Sequence, residues 1–163
     1  MFAGFLFLEG YFLGWATDNM RGKSITRKCE TGYHVTRAIM MYQNGYGVVD
    51  LNFKCFQDHK VLQTFDKGMT DNKDGYEVRE VTCKKGFKHF VTRTQSGYGV
   101  VNAKSRCADA ADNSNRNTYT DNWNGSDDWK DHGKWCKPGE TITGFKVREQ
   151  TGHGIVNVGI YCG

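Results

Sequence analysis

The sequence Gly45-Tyr-Gly-Val-Val-Asp50 decides the fold, because it occurs three times. It returns as Gly97-Tyr-Gly-Val-Val-Asn102 and as Gly152-His-Gly-Ile-Val-Asn157. Repetition at a fixed period is typical of a repeat architecture. Each copy also has one cysteine upstream and another eight residues after its second glycine; these cysteines are Cys29, Cys83 and Cys136 upstream, and Cys55, Cys107 and Cys162 downstream.

Each copy is interpreted as a hairpin turn between two strands, since glycines supply the positive φ that tight hairpin turns need. Residues 48–56 show the period of two that indicates a half-buried strand. The residues expected to face the interior are Val49, Leu51, Phe53 and Cys55, and those expected to face solvent are Val48, Asp50, Asn52 and Lys54. The strand is therefore predicted to have one buried and one exposed face.

The cysteine spacing of 54 and then 53 residues fills the chain with three units. An all-β domain with pseudo-threefold symmetry is either a β-prism of three antiparallel sheets or a β-trefoil, and the period and the flanking cysteines favour the prism. One domain of three repeats is expected over 1–163, at approximately 1–55, 56–107 and 108–163. Residues 5–15 are expected to pair with the carboxyl-terminal strand, closing the ring and removing exposed sheet edges.

The six cysteines predict disulfides rather than a zinc site, because no Cys-x-x-Cys pair is present. Six cysteines allow 15 pairings. The threefold pattern is most simply satisfied by Cys29–Cys55, Cys83–Cys107 and Cys136–Cys162. Disulfides indicate an oxidising compartment, and we therefore expect an extracellular, secreted protein.

Each unit consists of Cys-x2-Gly, a strand, a glycine-rich hairpin, an Asn or Asp and a closing cysteine, and Trp129-x5-Trp135-Cys136 precedes the last unit. This pattern resembles the vitelline membrane outer layer protein I family. This resemblance covers most of residues 25–163 as a repeat pattern. It implies a secreted, disulfide-bonded β-prism with three Greek-key sheets. The chain departs from the family where Gly-Gly-Asp-Asp-Thr-Ala is replaced by Val-Val-Asp, Val-Val-Asn and Ile-Val-Asn.

The sequence contains no nucleophile elbow, phosphate-binding glycine loop or His-Glu-x-x-His motif, and no catalytic residue, metal or cofactor is expected. The aspartates of residues 108–135 are flanked by Asn and Ser, which indicates solvated groups rather than the desolvated carboxyl of a glycosidase. A glycan-acting enzyme is retained only as a remote alternative. The net charge of +4 comes from scattered basic residues, so nucleic acid is not expected as a partner, and no apolar run is long enough for a membrane span.

Residues 108–135 depart from the repeat, with tryptophans among Asp and Asn residues, and are predicted to form a long loop containing one strand near 117–123. Sugar rings stack on indole faces while Asp and Asn bind hydroxyls, so this loop is a candidate glycan site; alternatively, the tryptophans plug the prism axis. The candidate ligand-binding residues are Trp123, Asp127, Asp128, Trp129 and Trp135, and Asn124 begins a glycosylation sequon.

Two functions follow from these observations. The first is a non-catalytic structural, extracellular-matrix or coat protein that assembles with itself or with other matrix proteins. The alternative is a lectin-like carbohydrate-binding module that uses residues 108–135. Because the repeat motif itself is explained by architecture, functional residues are expected where the repeats differ, chiefly in residues 1–20 and 108–135.

Overall fold

The structure, a computed structural model, describes residues 10–43, 47–57, 62–70, 72, 77–96, 99–111, 117–118 and 129–163, with the backbone alone at 117, 118 and 129. The strands of the described part are β1 (Tyr11–Trp15), β2 (Lys23–Lys28), β3 (His34–Gln43), β4 (Gly47–Phe56), β5 (Glu77–Thr82), β6 (Phe87–Gln95), β7 (Gly99–Cys107), β8 (Asn117–Thr118), β9 (Trp129–Trp135), β10 (Ile142–Gln150) and β11 (Gly154–Cys162).

These strands form three antiparallel sheets. The first sheet has the order β1-β11-β10-β2, the second β4-β3-β5 and the third β8-β7-β6-β9. The predicted all-β prism is therefore confirmed. Tyr11 pairs with Cys162 and Trp15 with Gly159, so β1 joins the carboxyl-terminal strand as expected. Residues 5–9, which the prediction also included, lie outside the described residues. The division into repeats at about residues 55 and 107 stays a prediction.

One phenylalanine from each sheet fills the centre of the prism. The ring of Phe145 on β10 lies 5.3 Å from that of Phe53 on β4 and 5.1 Å from that of Phe90 on β6. All three side chains are buried. Because such tilted and edge-on ring pairs add to the stabilisation from apolar burial, this cluster joins the three sheets at the axis.

The three disulfides connect the sheets in a ring at one end of the prism. Cys29–Cys55 joins the first sheet to the second, Cys83–Cys107 joins the second to the third, and Cys136–Cys162 joins the third to the first. These are the pairs that the threefold pattern predicts. Each bond closes a loop of the chain and so restricts the unfolded ensemble.

The second glycine of each motif makes an equivalent ring at the hairpin end. Gly47, Gly99 and Gly154 have φ values of 92°, 85° and 73°. A Cβ atom on Gly47 would lie 2.6 Å from the carbonyl oxygen of Val100, one on Gly99 would lie 2.8 Å from that of Ile155, and one on Gly154 would lie 2.7 Å from that of Val48. Each glycine therefore lets one strand touch the backbone of the next sheet.

The predicted exposure of Val48 and Asp50 is wrong, because both are at least 96% buried, with exposed fractions of 1% and 4%. The backbone N–H of Thr70 donates to Asp50 Oδ1 at 2.8 Å, and the Thr70 hydroxyl donates to the Val49 carbonyl at 2.8 Å. The segment around Thr70 thus covers the outer face of β4 near its hairpin. Farther along, Asn52 and Lys54 remain partly exposed, as the alternation predicts.

The predicted loop over residues 108–135 is wrong at its end, although Asn117–Thr118 forms the short strand β8 where one strand was expected. Trp129–Trp135 forms β9, whose backbone pairs with β6 from Gln95 to His89. The sequence of β9, with glycine, aspartate and lysine at its centre, lacks the apolar alternation that indicates a strand. Its position at the sheet edge explains this, since an edge strand buries little of its own surface.

Substitution of Gly99 by alanine should lower the free energy of unfolding by about 3–5 kcal/mol, because the methyl group adds left-handed backbone strain to an overlap with the next sheet. Gly152 is the matched control: its φ is 80°, and a Cβ atom there meets nothing within 4 Å. Gly152→Ala should cost only the strain, roughly 1–2 kcal/mol. Urea unfolding of both variants measures the difference, and equal losses would show that the close contact is unimportant.

Substitution of Asp50 by asparagine should stabilise the protein at neutral pH. Burial raises the pKa of Asp50 above its ordinary value of 3.8, although hydrogen bonds from Thr70 and Leu51 oppose the rise. The folded state therefore favours the protonated carboxyl, and the wild type loses stability as the pH rises from about 4 through the folded-state pKa. Asparagine avoids this loss and occupies the equivalent positions 102 and 157.

Urea unfolding between pH 3.5 and pH 7 tests the Asp50→Asn prediction. The stability difference between variant and wild type should grow with pH and then level off. A difference that does not vary with pH would contradict a raised pKa.

Candidate functional site

A cleft of about 610 Å³ opens between the first and third sheets at the hairpin end of the prism. One wall is the loop 16–22, which connects β1 to β2. The other walls are the β6–β7 and β10–β11 hairpins and the start of β9. The described lining residues are Thr17, Asp18, Asn19, Met20, Arg21, Thr94, Gln95, Ser96, Gly99, Lys130, His132, Gln150, His153 and Val156.

Asn157 holds the loop 16–22 in place. Its Nδ2 atom donates to the carbonyl oxygens of Thr17 and Asn19, both at 2.9 Å. Its Oδ1 atom accepts from the backbone N–H groups of Thr17 at 3.1 Å and of Val158 at 3.0 Å. Because Asn157 is fully buried, these four bonds form away from competing water.

Hydrogen bonds within the loop fix its backbone further. The N–H of Asn19 donates to the Thr17 hydroxyl at 3.2 Å, and the N–H of Arg21 donates to Asn19 Oδ1 at 3.1 Å. Gly22 ends the loop with a φ of 74°, where a Cβ atom would overlap the carbonyl of Glu149. The loop therefore presents its side chains from a fixed backbone, which lowers the entropy cost of binding a ligand.

The lining of the cleft suits a small polar ligand. Its size is within the range of small-molecule sites, roughly 300–1,000 Å³. The walls offer hydroxyl groups, side-chain amides, two imidazoles and charged groups of both signs, while Met20 and Val156 supply apolar contact. Among the described lining residues Asp18 is the one carboxylate, whereas glycoside hydrolysis uses two. The arrangement supplies hydrogen bonds to hydroxyls rather than a pair of acid–base groups.

Trp135 lies away from this cleft. It ends β9 at the cysteine end of the prism, is 43% exposed, and therefore does not plug the axis. Its ring stacks on that of His89 with centroids 3.8 Å apart, and the Arg106 guanidinium lies 5.1 Å from its centroid. A second cavity of about 370 Å³ borders Trp135, Lys137 and Glu140.

The other candidate residues of 108–135 are only partly accounted for. The backbone of Trp129 pairs with Gln95, so Trp129 starts β9 at the cleft end, a whole strand away from Trp135. Trp123, Asn124, Asp127 and Asp128 lie outside the described residues. Their roles in ligand binding and glycosylation stay predictions.

The sequence predicts functional residues within 1–20, because this stretch departs from the repeat, but it does not identify the individual residues of the cleft. Two signals in the sequence could have gone further. A glutamine recurs before each hairpin, at Gln43, Gln95 and Gln150, and two of these line the cleft. The third motif replaces tyrosine by His153, which also lines it.

Known proteins resemble this chain in fold. No protein-family model and no curated protein sequence matches it. Among solved structures, artocarpin in complex with mannopentose has a TM-score of 0.67 and 11% identity, covering 96% of this chain and 99% of that one. The Calystegia sepium agglutinin has a TM-score of 0.65 and 14% identity, covering 94% and 96%. A mannose-binding lectin from Champedak has a TM-score of 0.64 and 10% identity, covering 96% and 98%.

These similarities confirm the β-prism fold that the sequence resemblance implies. The second of these proteins is named an agglutinin and the third a mannose-binding lectin. Membership of the vitelline membrane outer layer protein I family stays a prediction. In the described part of the chain, no helix has the length and apolar character needed to cross a membrane.

Substitution of Asn157 by aspartate should destabilise the protein by about 2–4 kcal/mol at neutral pH. The carboxylate keeps the two bonds that Oδ1 accepts, but it loses both donations and faces the Thr17 and Asn19 carbonyls. The loss should shrink at acid pH, because a protonated carboxyl can again donate one bond. Urea unfolding and protease cleavage of the loop 16–22 measure the effect; a variant as stable as the wild type at pH 7 would contradict the role of Asn157.

Proposed function

We propose that the chain is a secreted, non-catalytic carbohydrate-binding protein that holds a mannose-type sugar in the cleft beside the loop 16–22. The observation that carries the proposal is this loop, whose polar side chains line a cleft of sugar size on a backbone fixed by Asn157. Hydroxyl groups of a sugar can donate to Asp18 and accept from Arg21 or Lys130. The named mannose ligands of artocarpin and the Champedak lectin, which share the fold, support mannose as the first sugar to test.

Secretion is proposed on the three disulfides, which persist in oxidising compartments. The self-assembling matrix or coat role has less support, since it rests on the repeat and the resemblance alone. The contribution of Trp129 and its neighbours to sugar binding also remains a proposal. They would act as an extension of the cleft, because Lys130 and His132 of β9 line it.

Titration calorimetry of the whole protein with methyl α-mannoside tests this function. We expect saturable binding that Asp18→Ala weakens by at least about tenfold, because a charge-assisted hydrogen bond is lost. Asp66→Ala is the control, since it removes an exposed aspartate outside the cleft. Absence of binding, or equal loss in both variants, would contradict the proposal. Loss in Trp129→Ala with Asp18→Ala unaffected would move the site to residues 108–135.

A further inference from the structure

The outer face of the first sheet has a patch of three aromatic rings. The ring of Phe12 lies 5.6 Å from that of Trp15 and 5.1 Å from that of Tyr161. A β-bulge between Phe12 and Gly14 places Phe12 and Trp15 on the same face, although strict alternation would separate them. Gly159 provides the room, because a Cβ atom there would lie 2.5 Å from the Phe12 ring. The patch therefore depends on specific features of the backbone.

Three cations lie over these rings. Lys146 Nζ is 5.1 Å from the ring centroid of Phe12 and 5.5 Å from that of Trp15. The Arg148 guanidinium is 5.4 Å from the centroid of Trp15, and Lys28 Nζ is 5.2 Å from that of Tyr161. The ring faces attract and position the cations without neutralising their charge. We call these six residues the cationic face.

Each of the other two sheets pairs an arginine with a carboxylate of its edge strand. Arg37 on β3 pairs with Glu80 of the edge strand β5, and Arg93 on β6 pairs with Asp131 of the edge strand β9 at 2.7 Å. Arg148 occupies the place of Arg93 in its repeat.

The edge strand of the first sheet carries no such carboxylate. Ser24 stands opposite Arg148 where Asp131 stands opposite Arg93, and Thr26 stands opposite Lys146. Within the described residues, Lys28, Lys146 and Arg148 form no ion pair. The first sheet therefore presents at Arg148 a positive charge that the third sheet cancels at the equivalent Arg93.

From this difference we propose that the cationic face binds an acidic polysaccharide, a chain that carries sulfate or carboxylate groups. The three cations come from β2 and β10, and side chains on one sheet face recur about 7 Å apart along a strand. A linear polyanion can therefore meet them in succession. The partly buried rings of Phe12, Trp15 and Tyr161 add apolar surface on which sugar rings pack.

An acidic glycan fits this face better than the other common polyanions. The disulfides indicate an oxidising compartment, where nucleic acid is not the usual partner. The face is part of a sheet and lacks the amphipathic helix with which proteins commonly enter a lipid surface. The site is separate from the cleft and does not depend on the function proposed there.

Binding of heparin oligosaccharides to the whole protein tests the cationic face. The variant is Lys28→Gln with Lys146→Gln, which leaves Arg148 intact because Arg148 also donates to the Gly22 carbonyl of the loop 16–22 at 2.8 Å. The control is Lys54→Gln with Lys67→Gln, which removes the same charge outside the cationic face. Thermal unfolding verifies that both variants fold.

We expect the wild type to bind heparin with an affinity that falls with salt, and the Lys28/Lys146 variant to bind about tenfold more weakly. The slope of log affinity against log salt should fall by about two in that variant and remain unchanged in the control. No binding at low salt, equal loss in both variants, or tighter binding of oligothymidine than of heparin would overturn the proposal. Methyl α-mannoside should not compete, so failure here is distinct from failure at the cleft.

Discussion

The close approach of Gly47, Gly99 and Gly154 to the neighbouring sheets is the constraint on which the rest of the structure depends. Each glycine touches the backbone of the next sheet, and the three contacts form a ring. About 27 Å away along the strands, the disulfides close a second ring in the same rotational order. Between the rings the phenylalanine cluster fills the axis. No side chain larger than hydrogen fits at the three glycines without moving a strand.

The glycine contacts, the disulfides and the phenylalanine cluster hold the three sheets in equivalent positions. Sequence differences between the repeats therefore change mainly the surface. The buried position after each Gly-x-Gly-Val/Ile-Val segment shows this. Asp50 and Asn157 have equivalent places, and each holds a covering segment, around Thr70 and around Thr17 respectively. Only the segment at Asn157 becomes one wall of the cleft. The cationic face arises in the same way, since Ser24 replaces the carboxylate that Asp131 supplies in the third sheet.

The sequence was sufficient for the repeat and the disulfide pairs, because glycine and cysteine have strict geometric requirements. It was also sufficient for the pairing of β1 with β11, because closure of the ring removes an exposed sheet edge. The sequence did not predict the burial of Asp50. Alternation of apolar and polar residues describes a strand with one open face, and it cannot indicate that a distant segment covers that face. The sequence also did not predict the strand β9, because its residues are mostly polar and its strand conformation depends on pairing with β6. The cleft joins residues from loops that are more than 130 positions apart, such as Thr17 and His153, and no local pattern connects them.

Native-state hydrogen exchange tests most directly whether the three sheets form one cooperative unit. The amides to measure are those of β3, β6 and β10, one strand from each sheet that pairs on both sides. If the glycine contacts bind the sheets into one ring, the most protected amides of all three strands should exchange with the free energy of global unfolding. Distinct free energies for the three strands, with one sheet opening while the others stay protected, would contradict this account.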